Sequence, residues 1–128
     1  MKLLLDTHIL LWAAAMPEKL SADAIALITS KSSELIFSAA SLWEVAIKSG
    51  LGRSDFKVDA SLLRKGLIEN GYNELAVTAT HAIATSGLAP IHKDPFDRIL
   101  IAQAITEGIE FLTADPIVAR YEGPIRAV

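Results

Sequence analysis

Four acidic side chains stand beside short apolar segments, far apart along the chain. They are Asp6 after LLL, Glu44 in SLWEVA, Asp97 in DPFDRIL and Asp115 after EFLTA. Carboxylates gathered in one pocket repel one another unless a divalent cation occupies it or some of them take up protons. Oxygen ligands in a chain without cysteine favour Mg²⁺ or Mn²⁺ over zinc. If the fold brings these acids together, they predict a magnesium or manganese site.

Length and composition indicate one globular domain over residues 1–128. The absence of cysteine excludes disulfides and thiolate metal sites, and it fits a cytoplasmic protein. Asp6 and His8 interrupt the apolar N-terminal run, so we predict no export signal. No run reaches the ~18 to 20 apolar residues that span a bilayer, so no membrane contact is expected. A net charge of −3 gives no overall attraction to nucleic acid, which local basic residues or bound cations would have to hold.

Short apolar runs alternate with segments of helical spacing. The predicted strands are Lys2 to Leu5, residues 34–39, residues 74–78, GIEFLTA and IRAV. The predicted helices are THILLWAAA, ADAIALITSK, SLWEVAIKSGLG ending at Gly50 or Gly52, DASLLRKGLIENG, residues 80–86 and DPFDRILIAQAITEG. This alternation predicts right-handed crossovers and a mainly parallel sheet covered by helices, the α/β class. Residues 50–58 are the most loop-like segment and the expected rim of the site.

The predicted elements place the four acids at one edge of the sheet. Asp6 and Asp115 directly follow strands, whereas Glu44 and Asp97 lie in the first turns of helices. Ligands of open parallel α/β sheets bind beyond the carboxyl ends of the strands, where helix N-termini also point. The partial positive charge of those N-termini helps to keep carboxylates ionised. We therefore expect the acids to meet.

Each acid also has a structural interpretation as a helix cap. The patterns are Asp6 before Thr7, the capping box Ser41-x-x-Glu44, Asp94-Pro95-x-Asp97, and Asp115-Pro116. Acidic residues are common at helix starts for reasons unrelated to catalysis. Capping does not explain, however, why these segments occur together and in this order.

Read in succession, LLLDTHILLW, SAASLWEVAIK, HKDPFDRILIAQA and FLTADP resemble the PIN-domain ribonucleases, specifically the VapC-type toxins of bacterial type II toxin–antitoxin pairs. The resemblance covers essentially the whole chain, and DPFDRILIAQA is its most specific part. It implies a PIN-like three-layer α/β fold, with a central mainly parallel sheet between helices. It also implies that Asp6, Glu44, Asp97 and Asp115 are the catalytic, metal-binding acids. Asp94 is interpreted mainly as an N-cap, with contact to the metal through water as the alternative.

The resemblance implies an endoribonuclease that depends on Mg²⁺ or Mn²⁺ and hydrolyses RNA phosphodiester bonds with a metal-activated water. Asp6 and Asp97 would form the core of the metal site, with Glu44 and Asp115 as direct or water-bridged ligands. The partners implied are a VapB-type antitoxin over the acidic groove and a second copy of the chain, packed through the N-terminal helices. Operator DNA would be bound only through the antitoxin.

Three other functions remain open at this point. The chain could be a PIN-fold nuclease that processes RNA without an antitoxin, or a non-catalytic interaction module of the same fold. A phosphoacceptor or phosphatase fold also places an Asp after its first strand. That third function has little support, because no DxD follows the first strand and no suitably placed lysine follows a late strand.

Several residues beside the acids are candidates for substrate contact or for support of the site. Thr7 and Thr113 flank acids and are expected to hydrogen-bond to them, to a metal-bound water or within a local turn. Arg98 is expected to pair with an acid or to contact a phosphate. Lys48, Arg53 and Lys93 are expected near the rim, either meeting RNA or simply solvated. His8, His81 and His92 show no zinc-binding spacing and are predicted to be structural.

Overall fold

A five-stranded parallel sheet organises the part of the chain that the computed structural model describes, residues 1–51 and 57–128. Its strands are β1 (Lys2–Leu5), β2 (Glu34–Ser38), β3 (Asn73–Leu75), β4 (Glu110–Thr113) and β5 (Ile125–Ala127). The helices of these residues are α1 (Thr7–Ala15), α2 (Ala22–Thr29), α3 (Ala39–Gly50), α4 (Ala60–Glu69), α5 (Ala79–Ala84) and α6 (Pro95–Glu107). Short 3₁₀ turns occupy Pro17–Lys19, Thr85–Gly87 and Val118–Arg120.

The strand order is β3-β2-β1-β4-β5, and every neighbouring pair is parallel. The central strand β1 pairs on both sides, with Leu4 opposite Ile36 of β2 and Phe111 of β4. The chain first extends the sheet through β2 and β3 and then returns to add β4 and β5 on the other side of β1. Such a reversal leaves a crevice at the carboxyl ends of the central strands, where ligands bind in folds of this class. The predicted α/β class and parallel sheet are confirmed.

The core lies on both faces of the sheet because successive side chains of a strand point to opposite faces. Leu4 packs in one apolar cluster with Leu100 and Ile101 of α6. Leu3 and Leu5 pack in the other cluster with residues of α1 and α4. All three leucines of β1 are fully buried, so this strand is a fixed support for whatever follows Leu5.

Several predicted boundaries shift by a few residues. Helix α3 begins at Ala39, because the Ser38 hydroxyl accepts the N–H of Ala40 and converts the end of β2 directly into a helix. Strand β3 is shorter than predicted, and Thr78 instead caps α5 by accepting the N–H of His81. Helix α6 ends as expected at Gly108, whose φ of 67° lies in the left-handed region that glycine tolerates. Arg53 and the other residues of 52–56, which make up most of the predicted rim segment 50–58, lie outside the described residues.

Within the described ranges, no helix has both the length and the apolar character that crossing a bilayer requires. Even α6 has only 13 residues.

Candidate metal centre

Asp6 directly follows the central strand and is almost completely buried, with 3% of its surface exposed. Its N–H donates to the Leu112 carbonyl at 2.9 Å, which fixes the backbone against β4. Its Oδ2 accepts a 2.7 Å hydrogen bond from the Thr113 hydroxyl. Burial raises the pKa of Asp6, and the bond from Thr113 partly offsets this rise. Asp6 precedes α1 but makes no side-chain cap contact, so the capping interpretation is wrong for this residue.

Glu44 lies on α3 and is also buried, at 4% exposure. Because α3 begins at Ala39, Glu44 stands in the second turn, and the predicted capping box with Ser41 does not form. Its Oε2 accepts a hydrogen bond from Lys48 Nζ, one turn further along the helix. Its Oε1 is buried without a hydrogen-bond partner among the described residues. An unpaired buried carboxylate oxygen is costly unless a positive group lies beside it, so the position of this atom fits a cation site.

Asp94 and Asp97 stand at the start of α6. Asp94 caps the helix, since its Oδ1 accepts the N–H groups of Phe96 at 2.8 Å and Asp97 at 3.4 Å. The pKa of Asp97 is raised to about 7, mainly by burial and then by the charges of Asp6, Asp94 and Glu44, with His92 acting in the opposite direction. These acids therefore share one electrostatic environment despite their separation along the chain.

Asp115 reaches the same group of residues from the end of β4. Its N–H donates to the Thr113 hydroxyl at 3.0 Å, and its Oδ1 accepts the N–H of Ile117 at 2.8 Å. Its Oδ2 lies 3.8 Å from His92 Nε2. The same nitrogen lies 2.8 Å from Asp97 Oδ2. His92 thus stands between two of the predicted acids.

His92 is the residue of this group that sequence reasoning missed. His92, Asp94 and Asp97 each offer a ligand atom, and these atoms all lie within 4.8 Å of one another. The histidine comes two residues before the cap of α6, in a segment of no regular structure. Proximity to the DPFDR segment was the available signal, but a search for zinc-binding spacings does not detect it.

The loop that carries His92 is held by Arg98 rather than by an acid. The Arg98 guanidinium donates to the carbonyls of Thr85, Ala89 and His92 at 2.9, 3.1 and 3.3 Å. It also donates to the Tyr121 hydroxyl at 3.1 Å, and that hydroxyl accepts the N–H of His92 at 2.8 Å. Among the described residues Arg98 pairs with no acid, so that expectation was wrong. A phosphate contact by Arg98 has no support from this geometry.

The other candidate residues either contact the acids directly or join the helices around them. Thr113 makes the expected bond to an acid and connects Asp6 with Asp115. Thr7 instead donates to the Ser41 hydroxyl at 2.9 Å and joins α1 to α3. Lys48 lies on α3 against Glu44 rather than in a rim loop.

Two grooves in the surface do not contain the acidic cluster. One, of about 710 Å³, lies between α1 and α4, and its single acid is Asp59, which caps α4. The other, of about 530 Å³, is apolar and is lined by Trp43 of α3 and Phe96 of α6. The predicted acids therefore lie at the sheet edge and not in either of these two grooves.

A comparison with models of protein families matches the PIN domain over residues 3–124. No curated protein sequence matches the chain significantly. Among solved structures, VapBC2 from Rickettsia felis bound to a promoter DNA fragment is similar with a TM-score of 0.71, at 14% identity over 99% of this chain and 98% of that one. A toxin–antitoxin complex from Klebsiella pneumoniae gives a TM-score of 0.62, at 17% identity over 97% and 95% of the two chains. VapBC-1 from nontypeable Haemophilus influenzae gives 0.60, at 15% identity over 99% and 98%. The predicted acids lie at one edge of the sheet, and the family model matches nearly the whole chain. This match establishes that the chain belongs to the PIN domain family.

Proposed function

We propose that the chain is a VapC-type toxin, an endoribonuclease that uses Mg²⁺ or Mn²⁺ to hydrolyse RNA phosphodiester bonds. The observation that carries this proposal is the buried Oε1 of Glu44, which lacks a partner among the described residues in a cluster where the acids repel one another. A carboxylate that only capped a helix would not need a buried oxygen without a hydrogen-bond partner. PIN-family membership supplies the link from this cluster to a nuclease.

The oxygen donors fit a hard divalent cation. Asp6, Asp97 and Glu44 would hold it, with Asp115 reaching it directly or through water. Such a cation supplies an activated water at neutral pH and neutralises the charge that develops on the phosphate and the leaving oxygen. The chain itself holds these acids in position. Thr113 fixes Asp6 and Asp115 relative to each other, and Lys48 balances the charge of Glu44 from the next turn of α3.

The catalytic acids need not be held by the cation alone. Asp6 is fixed through the backbone of β4 as well as through Thr113. Asp97 is fixed by its place in the first turn of α6, which Asp94 caps. Side chains held in this way are ready for a ligand before it arrives, which is the arrangement that efficient catalysis needs.

We further propose a VapB-type antitoxin as the partner of this chain, together with assembly into a homodimer. Structures with the same fold were solved as VapBC and toxin–antitoxin complexes. Trp43, which is 64% exposed, lies one helical turn from the exposed Ile47 and lines an apolar groove with the exposed Val77, a surface of the kind that protein partners cover. The Rickettsia complex was solved with promoter DNA, and for this chain we assign operator contact to the antitoxin. We propose that residues 1–128 act as one unit in the cytoplasm, in keeping with the absence of cysteine.

Cleavage of total cellular RNA by purified, antitoxin-free protein tests the proposal. With Mn²⁺ or Mg²⁺ present, we expect discrete new RNA ends, and chelation with EDTA should abolish them. Asp97→Asn should lower the rate by about 100-fold or more, because it removes an ionised ligand. Glu18→Gln is the matched control, since it removes the same charge from an exposed position outside the cluster.

An RNA profile that is unchanged with wild-type protein and metal would contradict the nuclease proposal and favour the interaction module. Cleavage that persists in Asp97→Asn at the wild-type rate would instead contradict the assignment of the acids. Mapping the cut ends in the positive case identifies the RNA target.

A further inference from the structure

His92 lies inside the acidic cluster although it belongs to no zinc motif. Its Nε2 is 2.8 Å from Asp97 Oδ2 and 3.8 Å from Asp115 Oδ2. Together with Asp94 and Asp97 it offers ligand atoms that all lie within 4.8 Å of one another. A single cation of ordinary coordination distance, about 2.0 to 2.6 Å, fits between atoms spaced in this way.

The position of the imidazole is built into the fold. The N–H of His92 is bound by the Tyr121 hydroxyl, and its carbonyl is bound by Arg98. Arg98 also fastens the loop before it through Thr85 and Ala89. These contacts hold the backbone of His92, and with it the direction of its Cα–Cβ bond, without engaging the ring. This leaves the His92 ring, of which 20% is exposed, directed at the carboxylates.

A second atom independently indicates a cation here. Glu44 is more than nine-tenths buried, and its Oε1 has no partner among the described residues. Glu44 is close enough to Asp6 and Asp97 for its charge to affect both of them. The cluster therefore contains a buried acceptor that the protein leaves unsatisfied, in addition to the acids and the histidine.

We propose that His92 is a nitrogen ligand of the metal centre and that it makes the site selective for Mn²⁺ over Mg²⁺. Mg²⁺ takes oxygen ligands and keeps its waters, so it gains little from an imidazole. Divalent transition ions accept imidazole readily. Mn²⁺ binds most weakly within that series, but it belongs to the series and Mg²⁺ does not. The inference rests on the metal centre of the proposed function, and it does not depend on RNA being the substrate.

A simpler role for His92 is a hydrogen bond that orients Asp97 without any contact to metal. Both roles explain the 2.8 Å distance, and they differ in one property. A nitrogen ligand is magnetically coupled to bound Mn²⁺, whereas an orienting histidine is not. Metal affinity and spectroscopy therefore distinguish the two roles where activity alone would not.

Pulsed electron paramagnetic resonance of the Mn²⁺-loaded full chain is the decisive measurement. We expect modulation from a directly bound imidazole nitrogen in the wild type, its loss in His92→Asn, and its retention in His8→Asn. His8 is the matched control because it is an exposed histidine near Asp6 whose backbone N–H, which the substitution leaves in place, makes its hydrogen bond to that carboxylate. Titration should show that His92→Asn weakens Mn²⁺ binding by about tenfold or more. Mg²⁺ binding should change by less than about threefold, since asparagine still offers an oxygen.

Wild-type Mn²⁺ spectra without nitrogen modulation would overturn the proposal, and this result needs no variant to fold. Equal losses of Mn²⁺ and Mg²⁺ affinity in His92→Asn would also overturn it, in favour of the orienting role. A melting temperature of His92→Asn close to that of the wild type verifies that the variant keeps its fold. The two proposals fail separately: nitrogen-bound Mn²⁺ without RNA cleavage contradicts only the function, and RNA cleavage without nitrogen coordination contradicts only the role of His92.

Discussion

Replacing Asp97 with asparagine should stabilise the metal-free protein while it removes the metal site. The pKa of the Asp97 carboxyl is raised from 3.8 to about 7, first by burial and then by repulsion from Asp6 and Asp94. As the pH rises, the folded state therefore keeps a proton on Asp97 up to about pH 7, whereas the unfolded state releases it near pH 4. The stability that this proton contributes is complete below about pH 4 and is lost as the pH rises through about 7.

The magnitude follows from the interval between the two pKa values. One pH unit corresponds to about 1.4 kcal/mol, so the rise from 3.8 to about 7 sets an upper limit of about 4 kcal/mol. His92 offsets part of the repulsion, and 14% of the Asp97 side chain is exposed to solvent. After this screening we expect about 2 kcal/mol at pH 8, equivalent to about 8 °C in Tm for a chain of this length.

Thermal unfolding in EDTA, followed by circular dichroism, measures this difference. At pH 8, Asp97→Asn should melt about 8 °C above the wild type, and the gap should fall to about a third of this at pH 5 and vanish below about pH 4. Saturating Mn²⁺ should raise the Tm of the wild type far more than that of the variant, because only the wild type retains the carboxylate ligand. Glu18→Gln, which removes an exposed charge outside the cluster, should leave the pH dependence unchanged. If Asp97→Asn melted at or below the wild type at pH 8 in EDTA, the repulsion argument would be wrong.

Three further substitutions separate the supporting contacts from the acids. Thr113→Val should raise the pKa of Asp6 further and slow RNA cleavage by about 10- to 100-fold, because both Asp6 and Asp115 lose their common partner; carboxyl titration by NMR and a cleavage assay measure the two effects. Arg98→Met should lower the free energy of unfolding, measured by urea denaturation, by about 2 to 4 kcal/mol, because it leaves several loop carbonyls unbound. If the folded variant bound metal with unchanged affinity, the role of Arg98 in holding the site would be contradicted. Lys48→Met should destabilise the metal-free protein by about 1 to 2 kcal/mol yet strengthen Mn²⁺ binding, because a competing cation is removed; calorimetric titration showing weaker binding would argue that Lys48 supports the site instead.

The order of elements was predictable because it depends on local patterns. Short apolar runs gave the strands, and the spacing of leucines and isoleucines gave α4 and α6. The parallel sheet then followed from the alternation itself. The start of α3 was missed because the Ser38 hydroxyl, at the end of a strand, acts as its cap. The same error produced the wrong capping box at Glu44.

The acids could be identified from the sequence, whereas most of their partners could not. Asp6 and Asp115 are linked through Thr113, and the bond from Thr113 to Asp6 joins residues 107 positions apart. His92 lies in the cluster on a loop whose backbone is held by Arg98 and Tyr121. Such contacts depend on tertiary packing, which no local periodicity encodes. The catalytic roles of the acids remain predictions that the cleavage assay tests.

The bond between Thr113 and Asp6 also affects when the site can exist during synthesis. Asp6 is synthesised more than a hundred residues before Thr113, so it cannot acquire this partner until β4 has emerged from the ribosome and paired with β1. A nascent chain therefore carries an incomplete centre throughout the synthesis of the segment between Asp6 and Thr113. Any activity that this centre confers begins only after β4 has joined the sheet.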